Sequence, residues 1–244
     1  MKSLIVVAHA DDETIAASRW LAQCPQEFTI LHTTDSGPRN PKYFTRAGFH
    51  TRETYAAHRR VEFLDAMKIV GVQESQCPVA AVADQEAVMH LELLTTKIAE
   101  FFPVDRIITH SYEGGHPDHD ATAFAVALAV GCTGIPILEF PAYHAAGGTM
   151  VASQFIPNFP KVKIERVIFN TTDTERKKQM FACFQSQQHL FDRFSTTEEL
   201  FRLAPDYDFL QPPHEGQLYY ETRDMGINYA TWREFAVAML ASKK

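Results

Sequence analysis

The chain has 244 residues, 45% of them hydrophobic and 22% charged, the balance of a folded globular protein with a substantial core and not of a disordered segment. A formal net charge of −7 argues against a nucleic-acid-binding surface, which needs a basic footprint against phosphate. Four cysteines, Cys24, Cys77, Cys132 and Cys183, are scattered with no CxxC spacing and read as reduced thiols of a cytoplasmic protein.

In chain order, the β-branched run Leu4–Val7 predicts a strand that feeds directly into a helix carried by Ile15, Ala16, Trp20 and Leu21. That run is too short for a secretion signal and leads into three acidic residues. Phe28–His32 predicts a second strand, and the polar stretch Thr33–Asn40, with Gly37 and Pro38, a surface loop. A long helix over Thr51–Val70 stops at Gly71. A helix over Gln85–Phe101, a strand at Arg106–Thr109 and a helix over Asp118–Val130 follow. The apolar stretch Ala121–Leu138 is broken by Gly131, Gly134 and Pro136, so it reads as a buried helix plus a strand and not as a membrane span.

Strands at Ile135–Phe140 and Val162–Asn170 and helices at Thr174–Gln187 and Tyr229–Ala241 complete the pattern. Apolar strands alternating with helices predict an α/β, Rossmann-like fold, a mostly parallel sheet with helices on both faces. No repeat or linker divides the chain, so one domain over residues 1–244 is expected. Residues from about 200 to 244 would form a C-terminal cap, because Asp206–Glu221 is rich in proline and aromatics.

In such folds ligands sit beyond the carboxyl ends of the strands, and two clusters fall there. His9-Ala10-Asp11-Asp12-Glu13 ends the first strand. Acidic residues favour a helix N-terminus, which accounts for one or two of the three carboxylates but not for His9. His116-Pro117-Asp118-His119-Asp120 follows the Arg106–Thr109 strand and supplies imidazole and carboxylate donors, the set that zinc selects over magnesium or calcium. Gly114 and Gly115 just before it permit a sharp turn or a close approach, and Pro117 suits a first helical position.

His9–Glu13 resembles the AHxDDE signature, and His116–His119 the HxDH signature, of the LmbE-like or PIG-L family of zinc-dependent N-deacetylases. Arg59–Glu62, with Ala66 and Val70-Gly71, is similar to the family's RxxE helix, and Lys177–Gln187 to its later helix with Lys and SQ. The resemblance implies His9, Asp12 and His119 as ligands of Zn2+, Asp11 as general base, and His116 with Asp118 as a charge-stabilising pair in which Asp118 keeps His116 cationic. It also aligns Arg59 with a substrate-binding arginine. Where several family members carry a tyrosine two residues before the first histidine of HxDH, this chain has Gly114. Among the remaining residues, Glu13 reads either as a support to the metal ligands or as a helix-start carboxylate. His214 in the expected cap is a candidate substrate contact, and Tyr219 and Tyr220 suit either a sugar face or a core.

The expected activity is hydrolysis of the amide of an N-acetylated amino sugar or related small polar amide by an activated water. The alternatives are a non-sugar amide, a phosphoester, or a nucleotide-binding Rossmann module. The last requires a glycine-rich first turn where this chain has acids. The expected partner is a small N-acylated substrate, with no nucleic acid and no membrane span, and self-association is left open. Specificity is expected in the loops Thr33–Phe49 and Ala145–Asn158.

Overall fold

The computed structural model describes residues 1–157, 162–223 and 225–242. In chain order the elements are β1 (Ser3–Val7), α1 (Asp12–Gln23), β2 (Phe28–Pro38), α2 (Pro41–Arg46), α3 (Arg52–Val70), β3 (Val79–Asp84), α4 (Leu91–Ala99), β4 (Arg106–His110) and α5 (Pro117–Val130). They continue with β5 (Ile137–Phe140), the hairpin β6 (Tyr143–Ala146) and β7 (Thr149–Ala152), β8 (Glu165–Ile168), α6 (Thr171–Cys183), α7 (Gln188–Phe191), β9 (Glu198–Leu203) and α8 (Tyr229–Ser242).

Seven strands form one sheet in the order β3-β2-β1-β4-β5-β9-β8. The first five are parallel, and at one edge β9 runs antiparallel to β5 and β8 antiparallel to β9. Every residue of β1 is buried, as befits a central strand covered on both faces. Its side chains alternate between two cores. Ile5 and Val7 join Leu21, Phe63, Met67 and Phe184 under α1, α3 and α6. Leu4 and Val6 join Leu94, Ile98, Phe124 and Trp232 under α4, α5 and α8. Burying each such aliphatic side chain contributes roughly 1.5–3 kcal/mol. No helix among the described residues is long and apolar enough to cross a membrane.

The structure departs from the sequence reading in instructive places. Thr33–Pro38 is not surface loop, since β2 continues through it with Thr33, Thr34, Ser36 and Gly37 buried. Hydroxyls there bond the backbone of the first strand's end: Thr34 Oγ1 donates to Ala8 O at 2.8 Å, and Ser36 Oγ accepts from Ala10 N at 2.8 Å. The extension is stabilised by β3, whose alanine-rich sequence carries little strand propensity. The expected helix over Gln85–Phe101 opens with a 3₁₀ turn at Ala87–His90 and is α-helical only as α4.

The C-terminal region is also divided differently. Residues through Leu203 belong to the sheet as β9, and α8 packs on the α4/α5 side, where Trp232 Nε1 donates to Pro117 O at 3.2 Å. Only part of the stretch between them reaches the site. Asn158, the far end of one expected specificity loop, lies outside the described residues.

Candidate active site

β1 and β4 are neighbours in the sheet, so the segments following them emerge side by side although more than a hundred residues separate them. This is where the connections diverge to opposite sides, the crevice at which open α/β sheets bind ligands. His9 Nδ1 lies 3.2 Å from His119 Nε2 and 3.4 Å from Asp12 Oδ2, and His119 Nε2 lies 3.4 Å from Asp12 Oδ1. Asp12 meets the two imidazoles with different carboxylate oxygens, and among the described residues the groups whose donor atoms stand close enough to share an ion are His9–His116–His119, His9–Asp84–His116–Asp118 and Asp12–His110–His119, which overlap at these three side chains. Burial and the neighbouring His110 push His119 down to about 3, leaving its ring nitrogen free to ligate. Burial alone would raise Asp12, yet His119 and His110 hold it well below the usual carboxylate range. With both imidazoles deprotonated to ligate, such a set would leave a divalent ion with net positive charge.

The three adjacent carboxylates avoid self-repulsion by pointing to different partners. Asp12 Oδ2 accepts from His9 N at 2.8 Å. Asp11 Oδ2 accepts from Arg59 Nη2 at 2.8 Å. Glu13, fully buried, bonds His32 Nε2 at 3.1 Å, the Asp11 amide at 3.2 Å and the Thr14 hydroxyl at 2.7 Å, so it braces the start of α1 away from the cavity. Arg59, presented by α3, also donates to Ala10 O and Ser36 O, each at 3.2 Å. Its guanidinium is thereby committed to holding Asp11. Burial raises Asp11 to about 7 in spite of Arg59.

The aspartates of the second cluster brace loops. Asp118 accepts from Gln85 N at 2.6 Å and Ala87 N at 3.0 Å, fastening the β3–α4 turn. Asp120 accepts from the amides of Glu113 and Gly114, both at 3.1 Å. His116 caps α5 by accepting from the Asp118 amide at Nδ1, 3.2 Å, and the Asp118 carboxylate is 3.9 Å away. An Nδ1 that accepts carries no proton. The expectation that Asp118 keeps His116 cationic is therefore corrected: burial and His9 push His116 down to about 3, overriding Asp118, and the neutral ring carries its proton on Nε2.

Two residues escaped the sequence reading. Asp84, at the end of β3, puts Oδ1 3.3 Å from His9 Nε2 and 3.8 Å from His116 Nε2, buried and without a hydrogen bond. Burial would raise it, but His9 and His116 hold it below the carboxylate range. Asp12, Asp84 and Asp118 in turn raise His9 well above its ordinary value against burial, the mark of a negative field that a cation would neutralise. His110, the last residue of β4, stacks on His119 at 3.9 Å and accepts from Ala8 N at 3.0 Å. An Asp in an unrecognised strand and a His outside both clusters gave no signal.

Tyr143 at the start of β6 also lines the site, its ring 5.4 Å from His119. Gly114 and Gly115 make room for it and for the C-terminal stretch. Gly114 has φ +71, and a Cβ there would meet Leu218 at 2.8 Å; a Cβ on Gly115 would meet Tyr143 O at 1.9 Å. A tyrosine at position 114, as several family members carry, would be strained at that φ and would have to displace the Leu218 side chain here. His214 does not reach the cavity. It lies beside Gly114 and His144, its Nδ1 2.8 Å from Glu215 O.

The two weaker helix features form one contact: Glu62 accepts from the Ser186 amide at 2.8 Å and hydroxyl at 2.6 Å, and Gln187 donates to Tyr55 at 2.5 Å. His9, Asp11, Asp12, Arg59, Asp84, His116 and His119 all line a cavity of about 830 Å³, large enough for a small organic molecule.

Among solved structures, a teicoplanin-pathway deacetylase shares 16% identity at a TM-score of 0.64, over 85% of this chain and 99% of that one. The N,N'-diacetylchitobiose deacetylase from Pyrococcus horikoshii shares 17% at 0.55, over 84% of each chain. GalB, the 4-carboxy-2-hydroxymuconate hydratase from Pseudomonas putida KT2440, shares 17% at 0.55, over 85% and 98%. At such identities the likeness establishes the fold, which serves both deacetylation and hydration in those proteins. No curated protein sequence matches the chain. The family model described as PIG-L, GlcNAc-PI de-N-acetylase, matches residues 4–130, just over half of the chain and both histidine–aspartate clusters. The chain belongs to the PIG-L family of de-N-acetylases.

Proposed function

We propose that this protein is a zinc-dependent N-deacetylase that hydrolyses the amide of an N-acetylated amino sugar or a related small polar amide. The observation that carries this reading is the triangle of His9, Asp12 and His119 donors, with Asp11 and His116 opening onto the same cavity. His9, Asp12 and His119 would hold the ion. Zinc in such a donor set supplies a Lewis acid and lowers the pKa of water from about 15.7 to about 7.

Asp11 acts as proton acceptor. Arg59 occupies its Oδ2, leaving Oδ1 to take a proton from the attacking water, and a carboxyl raised to about 7 is matched to that transfer near neutrality. As the amide carbon becomes tetrahedral, negative charge develops on its oxygen. His116 Nε2–H donates to that oxygen without having to be cationic, and losing one such donor costs about 3–4 kcal/mol of barrier. Asp11 then returns its proton to the leaving nitrogen, the C–N bond breaks, and acetate and a free amine result. The four unpaired cysteines support a cytoplasmic setting.

The test is release of acetate and free amine from a panel of N-acetylated sugars and related amides. Activity should vanish on chelation and return with added zinc. Turnover that survives complete metal removal would end this reading.

A further inference from the structure

The first helix is bent where its own sequence offers no reason for a bend. α1 runs Asp12–Gln23 without proline or glycine, yet Ala17, fully buried, leaves helical geometry at φ −139 and ψ 22. Kinks without proline arise where a side chain inserts into the backbone ladder, and two side chains do so here. The Ser18 amide, which in an unbroken helix would donate to Thr14 O, donates to Glu199 Oε1 at 2.7 Å, and the Ser18 hydroxyl reaches the same oxygen at 2.7 Å. Lys177 Nζ donates to Ile15 O at 2.7 Å and to Glu199 Oε1 at 3.1 Å. Lys177 comes from α6 and Glu199 from β9, so two distant elements grip α1 on either side of Ala17.

The pair lies in the interior, with Lys177 1% and Glu199 3% exposed. A buried ion pair is poor evidence of stability, because apolar residues of similar volume often serve a fold as well or better. Apolar residues could not make the bonds to Ile15 O and Ser18 N. The hydrogen bonds of Glu199 fall on Oε1 and Oε2 has none, so the carboxylate is given wholly to α1 and Lys177. Lys177, though it belongs to the later helix feature, has no part in the contact between Glu62 and Ser186.

What the grip controls is short. The Asp11 carbonyl accepts from the amides of Thr14 and Ile15 at 3.0 and 3.1 Å, so residues 11–15 form a single turn between the end of β1 and the kink. That turn carries Asp11 and Asp12, and Ile15 at its end lines the cavity. Glu13 braces its start through His32 and the Asp11 amide; Lys177 and Glu199 hold the other end.

We propose that Lys177 and Glu199 are positioning residues of the active site, which by gripping α1 at Ile15 and Ser18 set the direction in which its first turn presents Asp12 and Asp11. The proposal rests on the deacetylase reading for the roles of those two aspartates. A misplacement of about 1 Å can cost about 10²-fold in rate, so the grip is read in the metal's coordination and in kcat.

The deciding experiment pairs Lys177→Met/Glu199→Leu, which removes both charges and both grips at similar volume, with Glu199→Gln, which keeps an acceptor for Ser18 and Lys177. Each metal-free protein is loaded with cobalt(II), whose visible absorption follows coordination geometry without turnover. Circular dichroism and a cooperative denaturation curve establish folding. The folded double variant should show a changed cobalt spectrum, a metal affinity lower by about 10–100-fold, and a kcat lower by about tenfold or more with KM little moved. Glu199→Gln should retain the spectrum and kcat of the unaltered protein. A folded double variant whose cobalt spectrum is unaltered overturns the proposal. So does a Glu199→Gln variant as impaired as the double one, because charge and not the grip would then be at work. Should the double variant not fold, Lys177→Met/Glu199→Gln is read in the same way; if neither folds, the pair serves the fold alone and the proposal falls. An unaltered protein that binds cobalt but hydrolyses no N-acetylated substrate defeats the deacetylase reading, while the spectra still decide the grip.

Discussion

The floor and the rim of one cavity are built on opposite plans. At the floor the charged side chains are buried, and three of them are fixed by protein partners: Asp11 by Arg59, Asp12 by His9 and His119, Asp118 by two backbone amides. At the rim Lys42, Arg46, Arg193 and Arg223 are exposed and reach into space on short or irregular segments. Preorganised charge costs no reorganisation at the moment of reaction, so the chemistry belongs at the floor. Charge held loosely at the surface supports little of the framework, so the rim tolerates change that the floor does not.

If that division is right, floor substitutions act on metal and rate. The largest effect is expected for His9→Ala and Asp12→Ala, which should abolish bound zinc, read by elemental analysis, and reduce activity to background; a variant that keeps stoichiometric metal would remove its residue from the ligand set. Asp11→Asn should come next, keeping the metal and losing about 10²–10⁴-fold in kcat, the range of general acid–base catalysis. A near-normal rate would mean that Asp11 is not the proton acceptor. Asp84→Asn removes the carboxylate beside His9 Nε2 and should weaken zinc affinity by about 10–100-fold, read by competition with a chelator. An unchanged affinity would reduce Asp84 to a structural neighbour.

The same division governs what the sequence disclosed. The floor was legible because its donors lie in two short runs at strand ends, so chemistry and position were written together. Central strand β1 was equally plain as the apolar run Leu4–Val7, and β4 was marked by the β-branched Ile107, Ile108 and Thr109. β3 was not, because three of its six residues are alanine, and Asp84 was lost with it. β9 was hidden for another reason: its Glu199 and Arg202 look like surface residues but are buried against Lys177 and Glu139, partners that only the tertiary structure supplies. The rim was invisible because its cations stand singly at positions 42, 46, 193 and 223, each indistinguishable from a solvated surface residue. Asp118, found through its motif, fastens the β3–α4 turn and also lies 3.4 Å from His9 Nε2, whereas His214, singled out only by its place in the expected cap, is not among the residues that line the cavity.

The sharpest contrast in stability should separate two arginines of the same cavity. Arg59 is 5% exposed and holds buried Asp11. Arg59→Gln leaves that carboxylate without its charge partner, and breaking a buried pair from one side typically costs about 3–5 kcal/mol. Part of this is recovered by protonating Asp11, whose carboxyl already lies near 7, so the loss should be greater at pH 8 than at pH 6. Arg46 is exposed on a six-residue helix and holds no acidic partner among the described residues, so Arg46→Gln should change stability by no more than about 0.5 kcal/mol. Chemical denaturation of both variants at the two pH values reads the contrast directly. Equal destabilisation would mean that Arg46 is part of the framework, and the separation of a fixed floor from an adaptable rim would fail at the residue where it matters most.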